Sequence, residues 1–139
     1  TGQAVRASCS IPGVFQPAVI AGKRYVDGGL VSPVPVDAAR QLGADIVIAV
    51  DISSKAKDGK AAGILSNLNQ TITIMGQKLG EQEMTRADVI IRPRVGQIGA
   101  ADLDQKHVAL LEGEKAAQDA LPALRAAIER WQLAREAKR

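Results

Sequence analysis

A continuous apolar run over residues 46–50, with the sequence IVIAV, narrows the possible folds more than any other part of the chain. A strand with one wet face alternates apolar and polar residues, whereas this run has no polar position. Such a run is typical of a strand covered on both faces of an α/β sheet. A second short run, over residues 89–91 before Pro93, predicts another buried strand.

Helical patterns lie between and after these runs. Pro35 in the first turn and Gly43 just past the end predict a helix through Leu42. Residues 53–63 are polar and rich in Gly and Lys, which predicts an exposed loop. Apolar residues then recur at spacings of three and four, which predicts an amphipathic helix whose stripe is a core face. The stripe consists of Leu65, Leu68, Ile72, Met75 and Leu79.

The last predicted helix runs from His107 to the C-terminus, and Pro122 should kink it or restart it near Asp119. Strands that alternate with helices predict an α/β fold with a mainly parallel sheet. With 139 residues and 46% hydrophobic residues, the chain suits one packed domain or a large piece of one.

The N-terminal stretch predicts smaller elements. Residues 3–10 favour a short helix that is stopped by Pro12-Gly13. Two extended runs, residues 14–20 and 24–26, flank Gly22-Lys23 and predict a hairpin. The tripeptide Asp-Gly-Gly at 27–29 follows as a tight turn.

Three motifs in this order distinguish the chain: AS-x-SIPG-x-F at residues 7–15, VDGG at 26–29 and P-V-x-x-A-x-x-LGAD at 35–45. In wording and order they resemble the patatin-like phospholipase family, specifically its bacterial members. The resemblance is densest over residues 4–54 and is compatible with the rest. It implies the C-terminal part of a three-layer patatin-like domain, with residues 1–139 as one portion of a single domain.

The resemblance implies a serine hydrolase with a Ser–Asp dyad, in which Asp27 is the catalytic base and Gly28 and Gly29 are the motif glycines. A base near a serine hydroxyl takes its proton and makes it a nucleophile. The family's serine lies in a G-x-S-x-G elbow after a Gly-rich oxyanion segment, and these residues contain neither. We therefore expect a C-terminal fragment that lacks the nucleophile half and is inactive alone.

Other reactive side chains have plainer interpretations. Ser8, Cys9 and Ser10 are interpreted as small buried residues of the first helix, because no base is evident beside them. His107 is interpreted as a surface histidine. Asp51 would bind a ribose only after a glycine-rich phosphate turn, which is absent here.

The expected parent activity is hydrolysis of an acyl ester in phospholipids or lysophospholipids, and the alternative is a non-catalytic α/β protein that binds acyl chains or a partner. The spacing of Asp37, Asp45 and Asp51 is not that of a metal site, and no cofactor is implied. The net charge of +3 and 2% aromatic residues argue against a nucleic-acid partner. We expect a cytoplasmic or peripheral membrane protein with transient lipid-surface contact. One candidate surface for that contact is the basic residues over 125–139.

Overall fold

A computed structural model of the chain describes residues 1–53, 63–99 and 102–137. The predicted loop over residues 53–63 falls mostly outside this part, because residues 54–62 are not described. The helices and strands within it are α1 (Gly2–Ser8), β1 (Ala18–Ile20), β2 (Lys23–Tyr25), α2 (Val36–Gln41), β3 (Ile48–Val50), α3 (Ile64–Met84), β4 (Val89–Ile91) and α4 (Lys106–Glu136).

The strands form two small sheets. Strands β1 and β2 make the expected antiparallel hairpin, shorter than predicted, with Ala21 and Gly22 at positive φ in its turn. Strands β3 and β4 pair in parallel, from Ile48 opposite Val89 to Val50 opposite Ile91. The α/β class is thus confirmed, while the three layers and the mainly parallel sheet stay predictions, since the described strands form one pair of each kind.

A small aliphatic core joins α2, β3 and the end of α3. Val36, at 2% exposure, is its most deeply buried member, and α2 begins at this residue just after Pro35. Gly43 follows α2 at a φ of 93°, which closes the helix as the sequence predicted. The buried members of this core are Val34, Val36, Val47, Ala49 and Met84.

Two ion pairs fasten α2 to its neighbours. The Arg86 guanidinium donates to both Asp37 carboxylate oxygens, at 2.6 and 2.7 Å. Arg40 donates to the Asp88 carboxylate at 2.5 Å, and the Val47 N–H donates to the same oxygen at 2.7 Å. Partial burial raises the pKa of Asp88, but the hydrogen bonds from Val47 and Arg40 outweigh it and hold that pKa below its ordinary value.

The sequence predicted that both faces of β3 are buried, but only one of them is. Val47 and Ala49 are buried, but Ile48 and Val50 on the other side are 43% and 51% exposed. The Val47 carbonyl accepts from the start of β4, and the Asp51 N–H donates to its end. The backbone groups of Ile48 and Val50 therefore face the opposite edge, where no other described strand pairs with them.

The prediction that the apolar stripe of α3 is its core face is wrong. Leu68 and Met75 are 56% and 58% exposed, although Ile72 and Leu79 are half-buried. The helix instead packs through a face rotated by roughly a quarter turn at 100° per residue, which carries Gly76 and Gly80. Small residues let the helix backbone approach its neighbours, and apolar periodicity does not register them.

Helix α4 continues without a break through Pro122, so the predicted restart near Asp119 is wrong. Proline removes one backbone N–H, but the alanine-rich turns on both sides of it favour the helix. The helix lies against β4, with Ala127 buried. No helix in the described ranges has the length and apolar character needed to cross a membrane.

The ion pair of Asp88 predicts a measurable pH dependence. Because the folded pKa of Asp88 is lowered, its stabilising contribution is complete above the unfolded pKa near 4 and is lost as the pH falls through the folded pKa. Replacing Asp88 by Asn should lower the free energy of unfolding by about 1 kcal/mol at neutral pH, and less below about pH 4. Urea titrations between pH 7 and pH 2 measure this difference.

Asp45→Asn is the matched control, because the exposed Asp45 carboxylate accepts no hydrogen bond from the described residues. Its effect should be small at every pH. A difference between the native protein and the Asp88 variant that stays constant down to pH 2 would contradict the assignment.

Candidate functional site

Asp27 lies two residues beyond β2 and begins a short 3-10 turn over Gly28–Leu30. Its Oδ1 atom accepts a hydrogen bond of 2.7 Å from the Gly29 N–H, which is the local closure that Asp favours before glycine. The predicted tight turn is therefore confirmed. Asp27 is half-buried, and its Oδ2 atom accepts no hydrogen bond from any described residue. The carboxylate is thus held at one oxygen and unengaged at the other.

The end of α1 fixes the backbone of Asp27. The Asp27 N–H donates to the Ser10 carbonyl oxygen at 3.0 Å. Ser10 is 3% exposed, and its hydroxyl donates to the Arg6 carbonyl oxygen at 2.8 Å. The motif serine after α1 and the aspartate after β2 are therefore parts of one hydrogen-bonded unit, although 17 residues separate them in the sequence.

The two motif glycines differ in the room that a side chain would have at each position. Neither adopts a positive φ. A Cβ at Gly29 would lie 3.0 Å from the Asp27 Oδ1 atom, so only glycine leaves the carboxylate in this position without a shift. A Cβ at Gly28 would meet nothing closer than the Ser8 hydroxyl oxygen at 4.0 Å. The turn thus depends on Gly29 much more than on Gly28.

The other sequence candidates lie elsewhere or are differently exposed. Ser10 is buried as expected, but Ser8 and Cys9 are exposed, so the expectation of burial was wrong for these two. Helix α1 packs on β1 and on the Asp27 turn, and its buried residue is Ala7. His107 is exposed at the start of α4, as expected.

Asp51 is engaged in a local cluster at the end of β3. It accepts hydrogen bonds from the Ser53 backbone and hydroxyl and from Arg92, whose Nε lies 3.2 Å away. Partial burial raises the pKa of Asp51, but these hydrogen bonds outweigh it and hold the pKa below its ordinary value. Across the described ranges, no three His, Cys, Asp or Glu side chains come together as metal ligands.

A groove of about 520 Å³ lies between β4 and α4 and does not include the Asp27 turn. The groove is lined by three basic residues (Arg92, Arg94 and Lys115) and three acidic ones, so its charge favours neither an anionic nor a cationic ligand.

Glu83 is the residue at this site that sequence reasoning missed. Its two carboxylate oxygens accept from the Ser32 hydroxyl at 2.5 Å and from the Val34 N–H at 3.1 Å. It thereby ties α3 to the segment that leaves the Asp27 turn. One feature of the sequence could have pointed to Glu83, because it shares a helical face with Gly76 and Gly80. This pattern predicts that the helix packs closely on that face, but it does not identify the residues that Glu83 binds.

Comparison with known proteins finds similarity over the region that contains the Asp27 turn. The sequence profile of the patatin-like phospholipase family matches residues 2–40, which contain α1, the hairpin and the Asp27 turn. Over these residues the chain is similar to the patatin-like phospholipase family. The resemblance expected from the motifs at residues 7–45 is thereby confirmed, over the part of the chain where they are densest.

Several relatives are similar to parts of this chain. The chain is 34% identical over 70 residues to an uncharacterized NTE family protein of Mycobacterium tuberculosis, covering 50% of this chain and 18% of that protein. It is 41% identical over 54 residues to the lysophospholipase nte1 of Aspergillus niger, covering 39% of this chain and 4% of that protein. A second NTE family protein, from Mycobacterium bovis, is 28% identical over 86% of this chain and 25% of its own length. The chain thus spans a quarter or less of these relatives.

The different roles of the motif glycines in this patatin-like turn can be tested by alanine substitution. Gly29→Ala should push the Asp27 carboxylate away and break its hydrogen bond to residue 29, which lowers the free energy of unfolding by about 1 kcal/mol. Gly28→Ala is the matched control and should change it by less than about 0.5 kcal/mol. Urea unfolding, together with amide hydrogen exchange at residue 29, compares the two. Equal effects would show that close approach to Asp27 is not what requires glycine.

Proposed function

We propose that Asp27 is the base of a Ser–Asp dyad in an acyl-ester hydrolase that acts on phospholipids or lysophospholipids. The observation that carries this proposal is the Asp27 carboxylate, fixed through Oδ1 by the Gly29 N–H while no described residue donates to Oδ2. A general base needs both a defined position and an oxygen that can accept a proton. The name of the Aspergillus niger relative, a lysophospholipase, supports the substrate class.

In this mechanism the serine comes from a part of the parent protein outside these 139 residues. Its hydroxyl oxygen attacks the ester carbonyl, and its proton passes to Asp27 and then to the departing alcohol. Asp27 next takes a proton from water, whose oxygen attacks the acyl-enzyme. The fatty acid leaves, and the proton returns to the serine. This chain alone should not hydrolyse esters, because it has no G-x-S-x-G elbow and no glycine-rich oxyanion segment.

Replacing Asp27 by Asn in the full-length parent protein tests the proposal. The amide keeps the shape of the turn but cannot take the serine proton, so kcat for a short-chain nitrophenyl ester should fall by about 100-fold or more. Asp45→Asn, a change of equal charge at an exposed carboxylate, should leave kcat unchanged.

Full activity in a folded Asp27 variant would remove this residue from the mechanism. Absence of esterase activity in the unaltered full-length protein would favour the alternative, a non-catalytic protein that binds acyl chains or a partner.

The proposed substrate also requires contact with a lipid surface. Residues 1–26, here called the N-terminal segment, contain three basic residues and no acidic one. They also expose large apolar side chains, such as Val14, Phe15 and Val19, at 59–67% of their surface. Exposed apolar groups beside positive charge favour adsorption to anionic membranes. We therefore propose that the N-terminal segment, which leads directly into Asp27, makes the transient membrane contact.

Charge reversal locates this contact. In the full-length protein, Lys23→Glu with Arg24→Glu should weaken binding to vesicles that contain anionic lipid by at least about 10-fold, because each basic residue near the surface contributes about 1 kcal/mol. Sedimentation with vesicles at fixed salt measures the affinity. The control is Arg125→Glu with Arg130→Glu, an equal change of charge on exposed residues of α4. An equal or larger loss in the control would place the contact on α4 instead.

A further inference from the structure

The segment that leaves the Asp27 turn is held by a carboxylate distant in sequence. The two oxygens of Glu83 accept from the Ser32 hydroxyl and the Val34 N–H, so one side chain satisfies two donors within three residues. These contacts bridge 51 and 49 residues of sequence. Glu83 is half-buried, and both of its oxygens are used. A residue that served only to keep α3 soluble would not need this arrangement.

The backbone of α3 also lies directly against the turn. A Cβ at Gly76 would be 4.0 Å from the Gly29 carbonyl oxygen and 3.8 Å from the Pro33 ring. One helical turn later, a Cβ at Gly80 would be 3.6 Å from Val34. The spacing from residue 76 to 80 to 83 places the two glycines and Glu83 on one face of the helix. That face therefore lies close to the chain at Gly29 and again over residues 32–34.

A second long-range tie, made by a residue just beyond the end of α3, lies away from this segment. The Arg86 guanidinium donates two hydrogen bonds to the Asp37 carboxylate on α2, and among the described residues neither side chain is hydrogen-bonded to residues 27–34. Glu83 lies in the last turn of α3 and Arg86 lies two residues beyond its end, and each makes two polar contacts across a similar sequence separation. They form a natural pair for comparison, because only Glu83 acts on the chain next to Asp27.

From this geometry we propose that Glu83 is a positioning residue for Asp27. It fixes residues 32–34 against the glycine face of α3, and this fixes the turn whose Gly29 N–H orients the Asp27 carboxylate. The inference rests on the proposed dyad, since an aspartate needs a fixed direction only if it must meet a serine. Glu83 does not contact the reacting atoms. Its loss should therefore lower kcat and leave KM nearly unchanged.

The test uses three variants of the full-length protein: Glu83→Ala, Glu83→Gln and Arg86→Met. Removing the carboxylate should lower kcat for a nitrophenyl ester by about 10- to 100-fold, because small misplacements of a catalytic group have effects of this size. Glutamine should restore kcat to within about threefold of the native value. Its oxygen can accept from Val34 while its amide donates to the Ser32 hydroxyl. Arg86→Met should leave kcat within about threefold, whatever its effect on stability.

A second measurement follows the turn itself. Amide hydrogen exchange at Gly29 should accelerate at least about fivefold in Glu83→Ala and remain near the native rate in Glu83→Gln and Arg86→Met. Equal kcat and equal exchange in the Ala and Met variants would overturn the positioning role, and so would a failure of Gln to rescue.

The two proposals fail in different ways. If Asp27→Asn retains full activity, the dyad is wrong, and Glu83 is left as a structural tie whose strength the exchange rates report. If Asp27→Asn is inactive while Glu83→Ala keeps its native kcat, the dyad stands and only the positioning role is wrong. If Glu83→Ala fails to fold, the kcat and exchange rate of Glu83→Gln against Arg86→Met decide the matter. A lower kcat, or a faster exchange at Gly29, in Glu83→Gln than in Arg86→Met contradicts the proposed rescue.

Discussion

The aliphatic core around Val36 is the contact on which the other features depend. It gathers the start of α2, the buried side of β3 and Met84 at the end of α3 into one cluster. Only valine, alanine and methionine fill it, and each buried valine contributes roughly 1.5–3 kcal/mol. Contacts between such side chains hold the elements together but have little directional preference. The relative orientation of the elements is therefore set by the ion pairs at the edge of the core, Arg86 with Asp37 and Arg40 with Asp88.

Around this core the Asp27 turn is supported from two sides. The end of α1 receives the Asp27 backbone N–H through Ser10, and α3 approaches through glycines until its backbone reaches the turn. No single one of these contacts is strong. Their combined effect is that a short turn, which would be mobile in an isolated peptide, has a defined place between two helices. The proposed base therefore takes its geometry from sequence neighbours and from residues about fifty positions away.

The parts of the structure that local chemistry controls could be predicted from the sequence. Pro35 and Gly43 bracket α2, and Asp27 before glycine predicts its own capped turn. The prediction failed where burial depends on distant partners. An apolar run cannot report which of its faces is covered, so Ile48 and Val50 were expected to be buried. Periodicity weighs leucines and ignores glycines, so the packing face of α3 was assigned to the wrong side. Glu83 could not be found, because its partners are defined only by the folded chain.

The unpaired edge of β3 has a practical consequence. Within the described part of the chain, the N–H and C=O groups of Ile48 and Val50 have no strand beside them, and their apolar side chains are exposed. An open edge of this kind is a template for another copy of the same strand. Preparations of the 139-residue chain should accordingly associate more as the concentration rises. A lysine at position 48 or 50, which natural sheets use to discourage edge pairing, is the substitution to make before any crystallisation or spectroscopy of this chain.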